Sequence, residues 1–378
     1  MNTNINKIHA RYVLDSRANP TVEAEVTLDN GSKGRASVPS GASTGKLEAH
    51  ELRDGDDKFL GKGVSKAVEK VNTEIFELLK GHDAGDQDNL DKLMIELDAS
   101  SNKSNLGANS ILAVSMACLN AYSVATDKQM YELVPGIYGP PSLPVPFMNI
   151  LNGGAHADNK VDIQEFMIVP HGFDQFDHAL QAGVEIYHTL KKLLKDRGLA
   201  TNVGDEGGFA PNLNSSEEVL KIIIEAVEKA NYKMEEQVSI ALDAASSEFY
   251  DNGTYLIENE KLTSSDMVNY LIDLTEKFPI VSIEDGLAED DWDGWNEITA
   301  KIGDQIQLVG DDLFVTQSHM LQKGIEENSA NSILIKVNQV GSISETYETM
   351  SLAQKSNFTS MVSHRSVSYT HLTLPTKA

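Results

Sequence analysis

The chain is predicted to be an α/β protein, with an N-terminal α+β domain followed by a barrel of β/α units. Three observations predict it. Residues 22–28 alternate apolar and polar side chains, five later apolar stretches each end in a polar residue, and a stretch rich in Gly and Pro separates the two patterns.

In the first region Val22, Ala24, Val26 and Leu28 alternate with Glu23, Glu25 and Thr27. That is the period of a half-buried strand. Asn30-Gly31 predicts a turn into a second strand running through Val38. The segment Pro39-Ser40-Gly41-Ala42-Ser43-Thr44-Gly45 is too rich in small residues to pack as a regular element and reads as a mobile loop. Helical spacing follows over 63–80, 87–98 and 108–126. Five prolines between Pro135 and Pro146 mark the boundary, giving domains at 1–138 and 139–366 with a tail at 367–378.

Beyond the boundary the apolar stretches end at Asp243, Glu284, Asp311, Lys336 and His364. The spacing of these ends matches a strand plus a returning helix, which needs about 30 residues. Continuously apolar strands are buried on both faces, as in a parallel sheet. Polar residues at the C-terminal strand ends fit a β/α barrel, whose active site lies at that face. An open doubly wound sheet is the alternative, although no G-x-G-x-x-G supports a dinucleotide site in it.

The 378 residues are 40% apolar and 23% charged, a globular profile with room for two domains. A net charge of −26 disfavours direct binding to nucleic-acid backbones or anionic membranes, and favours solubility and cation binding. The single Cys118 excludes an internal disulfide and suits a reducing compartment. No apolar run is read as approaching the roughly 18 residues of a membrane span, and the N-terminus lacks a signal core. The expected compartment is the cytoplasm.

Asp243, Glu284 and Asp311 end consecutive predicted strands, so a barrel would gather their carboxylates. Crowded carboxylates need a compensating charge, and hard oxygen donors without thiolates select Mg²⁺ over zinc. Taken singly, each acid also fits an ordinary loop or helix cap. Lys336 ends the next strand in an apolar segment. A snorkelling structural lysine is the plain alternative. Partly desolvated near a metal, its ammonium would lose its proton more readily and become a usable base.

Several blocks now carry a family resemblance. They are Asp15-Ser16-Arg17-Ala18-Asn19-Pro20-Thr21-Val22-Glu23, the Pro39–Gly45 loop, Asn149-Ile150-Leu151-Asn152-Gly153-Gly154-Ala155-His156-Ala157, Gln164-Glu165-Phe166-Met167, Gly204-Asp205-Glu206-Gly207-Gly208, and Ser363-His364-Arg365-Ser366. In this order, from residue 3 to about 366, the chain resembles the enolases. The resemblance implies an enolase-type (TIM-like) barrel and Mg²⁺-dependent dehydration of 2-phosphoglycerate to phosphoenolpyruvate. A Lys base working with Mg²⁺ is an established pattern of that superfamily.

By resemblance, Asp243, Glu284 and Asp311 would hold one Mg²⁺, and Ser40 would ligate a second when its loop closes. Lys336 would take the C2 proton. Glu206, assisted by Glu165, would help the C3 hydroxyl leave. His156, Gln164 and Glu165 would contact the substrate, and His364, Arg365 and Ser366 would hold its phosphate. Arg365 suits that task through its planar fork of donors. The resemblance further implies a homodimer or higher homo-oligomer in the cytoplasm, with secondary surface presence compatible with the family.

After Ser366 the resemblance stops. The family continues with a last barrel strand, closing helices and a second lysine for the substrate carboxylate, whereas 367–378 shows no helical period and no such lysine. The expectation is therefore an incomplete barrel with exposed edges, unstable or inactive. Two other classes compete with the lyase: a non-catalytic protein on the same fold, and another superfamily dehydratase or epimerase. The retained acids and Lys336 count against the first. The Ser40 loop and the His364-Arg365-Ser366 segment count against the second.

Overall fold

A computed structural model of the chain describes residues 2–39, 41, 45–133, 142–204 and 206–363. The chain divides into two compact units. The first comprises Met1–Ser142, Phe314–Gln322 and Ile333–Ala378; the second comprises Leu143–Leu313 and Lys323–Ser332.

The first unit opens with an antiparallel sheet of β1 (Ile5–Leu14), β2 (Pro20–Leu28) and β3 (Lys33–Ser37), in that spatial order. The predicted alternation in β2 holds: Val22, Ala24, Val26 and Leu28 are buried in the core. On the opposite face Glu23 pairs with Arg11 at 2.6 Å and accepts from Ser37 Oγ at 2.9 Å. The predicted turn also forms, with Asn30 Oδ1 accepting the Ser32 amide at 2.9 Å.

Strand β1 was not expected, because its sequence INKIHARYVL mixes polar and apolar residues without a clean period. Its backbone finds a partner in Asn72, whose side chain accepts from Ala10 N at 2.8 Å and donates to Ala10 O at 3.0 Å. The helix predicted at 63–80 is accordingly not uniform. It runs as Ser65–Lys70, a π turn at Val71–Ile75, and Phe76–Leu79. A π turn changes the angular step along the helix, and Asn72, the residue bonded to β1, lies within it.

Helices Gln87–Asp98 and Ala108–Thr126 form where predicted. The second packs on β2 and β3. At 19 residues with a mean hydropathy of 1.3 it is long and apolar enough to cross a membrane, which corrects the expectation that no such run exists. Burial explains it: 78% of that stretch is enclosed by the fold, so a uniformly apolar helix here is a core helix.

The second unit is built on a sheet whose strands run β4 (Met148–Asn152), β5 (Glu165–Val169), β6 (Ser239–Asp243), β10 (Ile280–Glu284) and β11 (Gln307–Gly310). A small antiparallel sheet, β7 (Tyr250–Asp251), β8 (Thr254–Ile257) and β9 (Glu260–Leu262), lies between β6 and β10 in sequence. The pairs β6/β10 and β10/β11 are parallel, as predicted. The pairs β4/β5 and β5/β6 are antiparallel.

The connections give the reason. A parallel neighbour needs a crossover, usually one helix. One helix, Ser264–Lys277, precedes β10, and one, Trp292–Ile302, precedes β11. Between β4 and β5 there is only the 3₁₀ turn Gly154–His156. Between β5 and β6 there are two helices, Phe176–Asp196 and Ser216–Lys229, so the chain traverses the unit twice and re-enters reversed.

The remainder of the first unit carries β12 (Ser332–Ile335, from residue 333) and β13 (Thr359–Val362), joined by the helix Ile343–Lys355. Ser363 N donates to Ile335 O at 3.1 Å, tying the end of β13 to β12.

Candidate active site

The reversal of β5 decides where the acids meet. Glu165 begins β5 and is the register partner of Asp243, which ends β6. Asp243 is in turn the partner of Glu284, which ends β10. Asn152, ending β4, pairs with Glu165 on the other side. Four adjacent strands therefore present Asn152, Glu165, Asp243 and Glu284 in one row. Because β5 is antiparallel, its contribution comes from its first residue and the others from their last. Asp311 follows the end of β11 and completes the arc, with Glu284 aligned to Val309.

The carboxylates in this row are held rather than free. Asp243 Oδ2 accepts from Gln164 Nε2 at 3.0 Å, and Asp243 Oδ1 from Ala245 N at 3.0 Å. Asp243, Glu284 and Asp311 are buried, at 7–8% exposure. One group of acids, Asp285, Asp311 and Asp312, has oxygens all within 4.8 Å of one another. Asp285 and Asp312 were not singled out from sequence, although the doublets Glu284-Asp285 and Asp311-Asp312 at successive strand ends were visible. Burial first, then the charges of Asp312, Asp311 and Asp243, pushes the Asp285 carboxyl well above the usual carboxylate range. A buried donor set made of carboxylate oxygens fits a hard divalent cation such as Mg²⁺.

A second group brings together His156, Glu165 and Glu206. Nδ1 of His156 lies 3.4 Å from Glu165 Oε1, beyond an ordinary hydrogen bond. Burial works against protonating this ring, but neighbouring Glu165, with Glu206 and Asp243 behind it, outweighs burial and raises its pKa. Glu206 is brought here by a loop that closes on itself, Gly204 N donating to Gly208 O at 2.8 Å. Asn152 anchors that loop: its Oδ1 accepts from Gly208 N at 2.9 Å while its Nδ2 donates to Gln164 O at 3.3 Å. Close approach is required here, since a Cβ on Gly204 would stand 2.5 Å from His156 O.

Lys336 belongs to the first unit, just past β12, and is buried. Its amide donates to Thr316 Oγ1 at 2.9 Å, and Thr316 in turn donates to Gln339 Oε1 at 2.9 Å. Thr316 holds φ of +55°, an uncommon conformation for a β-branched residue. Ser40, His364, Arg365 and Ser366 lie outside the described residues.

Two family models match the chain. One for "Enolase, N-terminal domain" matches residues 5–134. One for "Enolase, C-terminal TIM barrel domain" matches residues 140–374.

Proposed function

The chain belongs to the enolase family, and from that membership we propose that it dehydrates 2-phosphoglycerate reversibly to phosphoenolpyruvate. The observation that carries this reading is the row of register partners Glu165, Asp243 and Glu284, with Gln164 bonded to Asp243 and with His156 and Glu206 grouped at Glu165. A family of lyases that act on a small acid requires oxygen ligands and a carboxyl acid in one place.

In this proposal Asp243, Glu284 and Asp311 hold one Mg²⁺ and Ser40 contributes to a second. When bound, the metal supplies positive charge against the substrate carboxylate, lowering the cost of removing the C2 proton. Lys336 Nζ takes that proton. The C3–oxygen bond breaks as the C2–C3 double bond forms, and Glu206 protonates the departing hydroxyl so that it leaves as water. A carboxyl suited to that step needs a raised pKa, which acidic neighbours favour. Glu165 assists Glu206; His156 and Gln164 orient the substrate; and His364, Arg365 and Ser366 take its phosphate. A homodimer working in the cytoplasm accompanies the proposal.

The test is Mg²⁺-dependent growth of phosphoenolpyruvate absorbance from 2-phosphoglycerate. Lys336→Ala is expected to lower kcat by about 10²–10⁴-fold, the usual worth of a general base. No product from the unsubstituted chain overturns the assigned activity, and an unchanged rate in Lys336→Ala overturns the base.

A further inference from the structure

Asp285 stands immediately after Glu284, yet its side chain serves a different strand. Its Oδ1 accepts the amide of Asp311 at 2.9 Å and its Oδ2 accepts the amide of Asp312 at 2.9 Å. Its backbone is committed as well. Asp285 N donates to Val309 O at 3.0 Å, and Asp285 O accepts Ser246 N at 3.1 Å. One residue thus ties together the segments following β6, β10 and β11. It does so at φ of +42°, a left-handed conformation that is strained for a non-glycine residue and persists only where surrounding bonds impose it.

The residue is only 4% exposed and sits among other acids. Core packing alone would be served better by an apolar side chain, because an ionisable group buried beside like charges is costly. The geometry accounts for a carboxylate: two neighbouring amide N–H groups point at one side chain, and only a carboxyl or carboxylate offers two acceptor oxygens side by side. Asparagine offers one acceptor, and would set a donor against a donor at the other position.

We propose that Asp285 is a positioning residue for the metal-binding end of the sheet, fixing the direction of the Asp311 carboxylate by clamping the Asp311 and Asp312 amides. The inference rests on the proposed metal-binding role of Asp243, Glu284 and Asp311, and concerns how that set is held rather than which groups belong to it. Partners that orient ligands typically cost about 10–100-fold in metal affinity when removed.

The probe is Mn²⁺, titrated into the full chain without substrate and followed by the electron paramagnetic resonance of the free ion, with thermal unfolding recorded on each variant. Asp285→Asn is expected to weaken Mn²⁺ binding by about 10–100-fold. Asp285→Ser, which keeps a short acceptor for one amide, is expected to weaken it too and serves if the first variant does not fold. Asp291→Asn is the control for a merely structural effect. Asp291 is also a buried acid of this unit, bonded to Tyr255 and Ser264 at 2.6 Å each, and its loss should lower the melting temperature without changing Mn²⁺ affinity. Unchanged affinity in the folded Asp285 variants, or an equal loss in Asp291→Asn, overturns the proposal. Failure of the unsubstituted chain to bind Mn²⁺ overturns the metal reading beneath it, a result recognisably different from those two.

Discussion

Glu165 and Asp243 are register partners across the antiparallel pair β5/β6, and the amide of Gln164 reaches over to Asp243 Oδ2 at 3.0 Å. This pairing sets two carboxylates side by side, with Glu284 next in the row, in a setting where like charges oppose one another. A divalent cation that relieves the opposition should stabilise the fold. With Mg²⁺ at about a hundred times its dissociation constant, linkage gives roughly 2.7 kcal/mol, read as a rise of a few degrees in melting temperature. Asp243→Asn and Glu284→Gln should each melt at or above the wild-type temperature without Mg²⁺ and lose most of the Mg²⁺-dependent rise. An undiminished rise in both variants contradicts the assignment of these acids.

Asn152 holds two things at once: the loop that carries Glu206, through Gly208 N, and the segment ahead of Glu165, through Gln164 O. Asn152→Ala leaves the buried Gly208 amide without its partner, a loss of about 1–3 kcal/mol, while Gln164 O keeps the bond from Gly153 N at 2.9 Å. Urea unfolding should show that loss, and hydrogen exchange at the Gly208 amide should accelerate. In the dehydration assay kcat should fall more than KM rises, since the loop carries Glu206, the acid of the proposed mechanism. Native exchange at Gly208 together with native stability rules out the anchoring role.

The sequence made the strand ends legible because period and polarity change together there. Asp243 and Glu284 end their strands as read, and Asp311 and Lys336 fall one residue beyond theirs. The direction of β5 was not legible. It depends on how many helices separate it from β6, and side-chain period is blind to that count. Strand β1 escaped for a different reason. Its edge is satisfied by the side chain of Asn72, distant in sequence, rather than by an amphipathic pattern of its own. Asp285 was hidden by its neighbour: Glu284 accounted for the polar strand end, and nothing local signals that the next acid accepts amides from β11's exit.

Gly34 in β3 marks where the first unit's sheet meets its core helix. A Cβ there would lie 2.1 Å from Ala121 N and 2.4 Å from Ala117 O, both backbone atoms of Ala108–Thr126. Neither can rotate away, so Gly34→Ala must push the helix off the sheet. Overpacking of this kind costs about 1–3 kcal/mol and occasionally more. The upper end is expected here because the obstacle is backbone. Ala36→Gly, two positions on in the same strand, should cost less, removing a buried methyl without displacing the helix. Gly34→Ala melting within a degree of wild type would show that strand and helix are not in this close contact.

Asp91 offers a pH test away from the proposed chemistry. It is fully buried in the helix Gln87–Asp98, with Oδ1 accepting from Gln87 Nε2 at 2.9 Å and Oδ2 from Ser344 N at 2.9 Å. Burial raises its carboxyl to about 6, against an ordinary 3.8, despite the bonds from Ser344, Ser115 and Gln87 that favour the charged form. A raised acid binds its proton more tightly in the folded state than in the unfolded one, so between about pH 4 and 6 the folded chain carries the extra proton. Stability from this group is therefore greatest below pH 4 and declines as pH rises through 6, by roughly 3 kcal/mol at about 1.4 kcal/mol per unit. Asp91→Asn removes the titration. The stability of wild type relative to Asp91→Asn, from urea unfolding at pH 4, 5, 6 and 7, should fall across the series and level off above 6. A flat difference, or one that rises with pH, would mean that Asp91 is solvated or paired well enough to ionise normally within the fold.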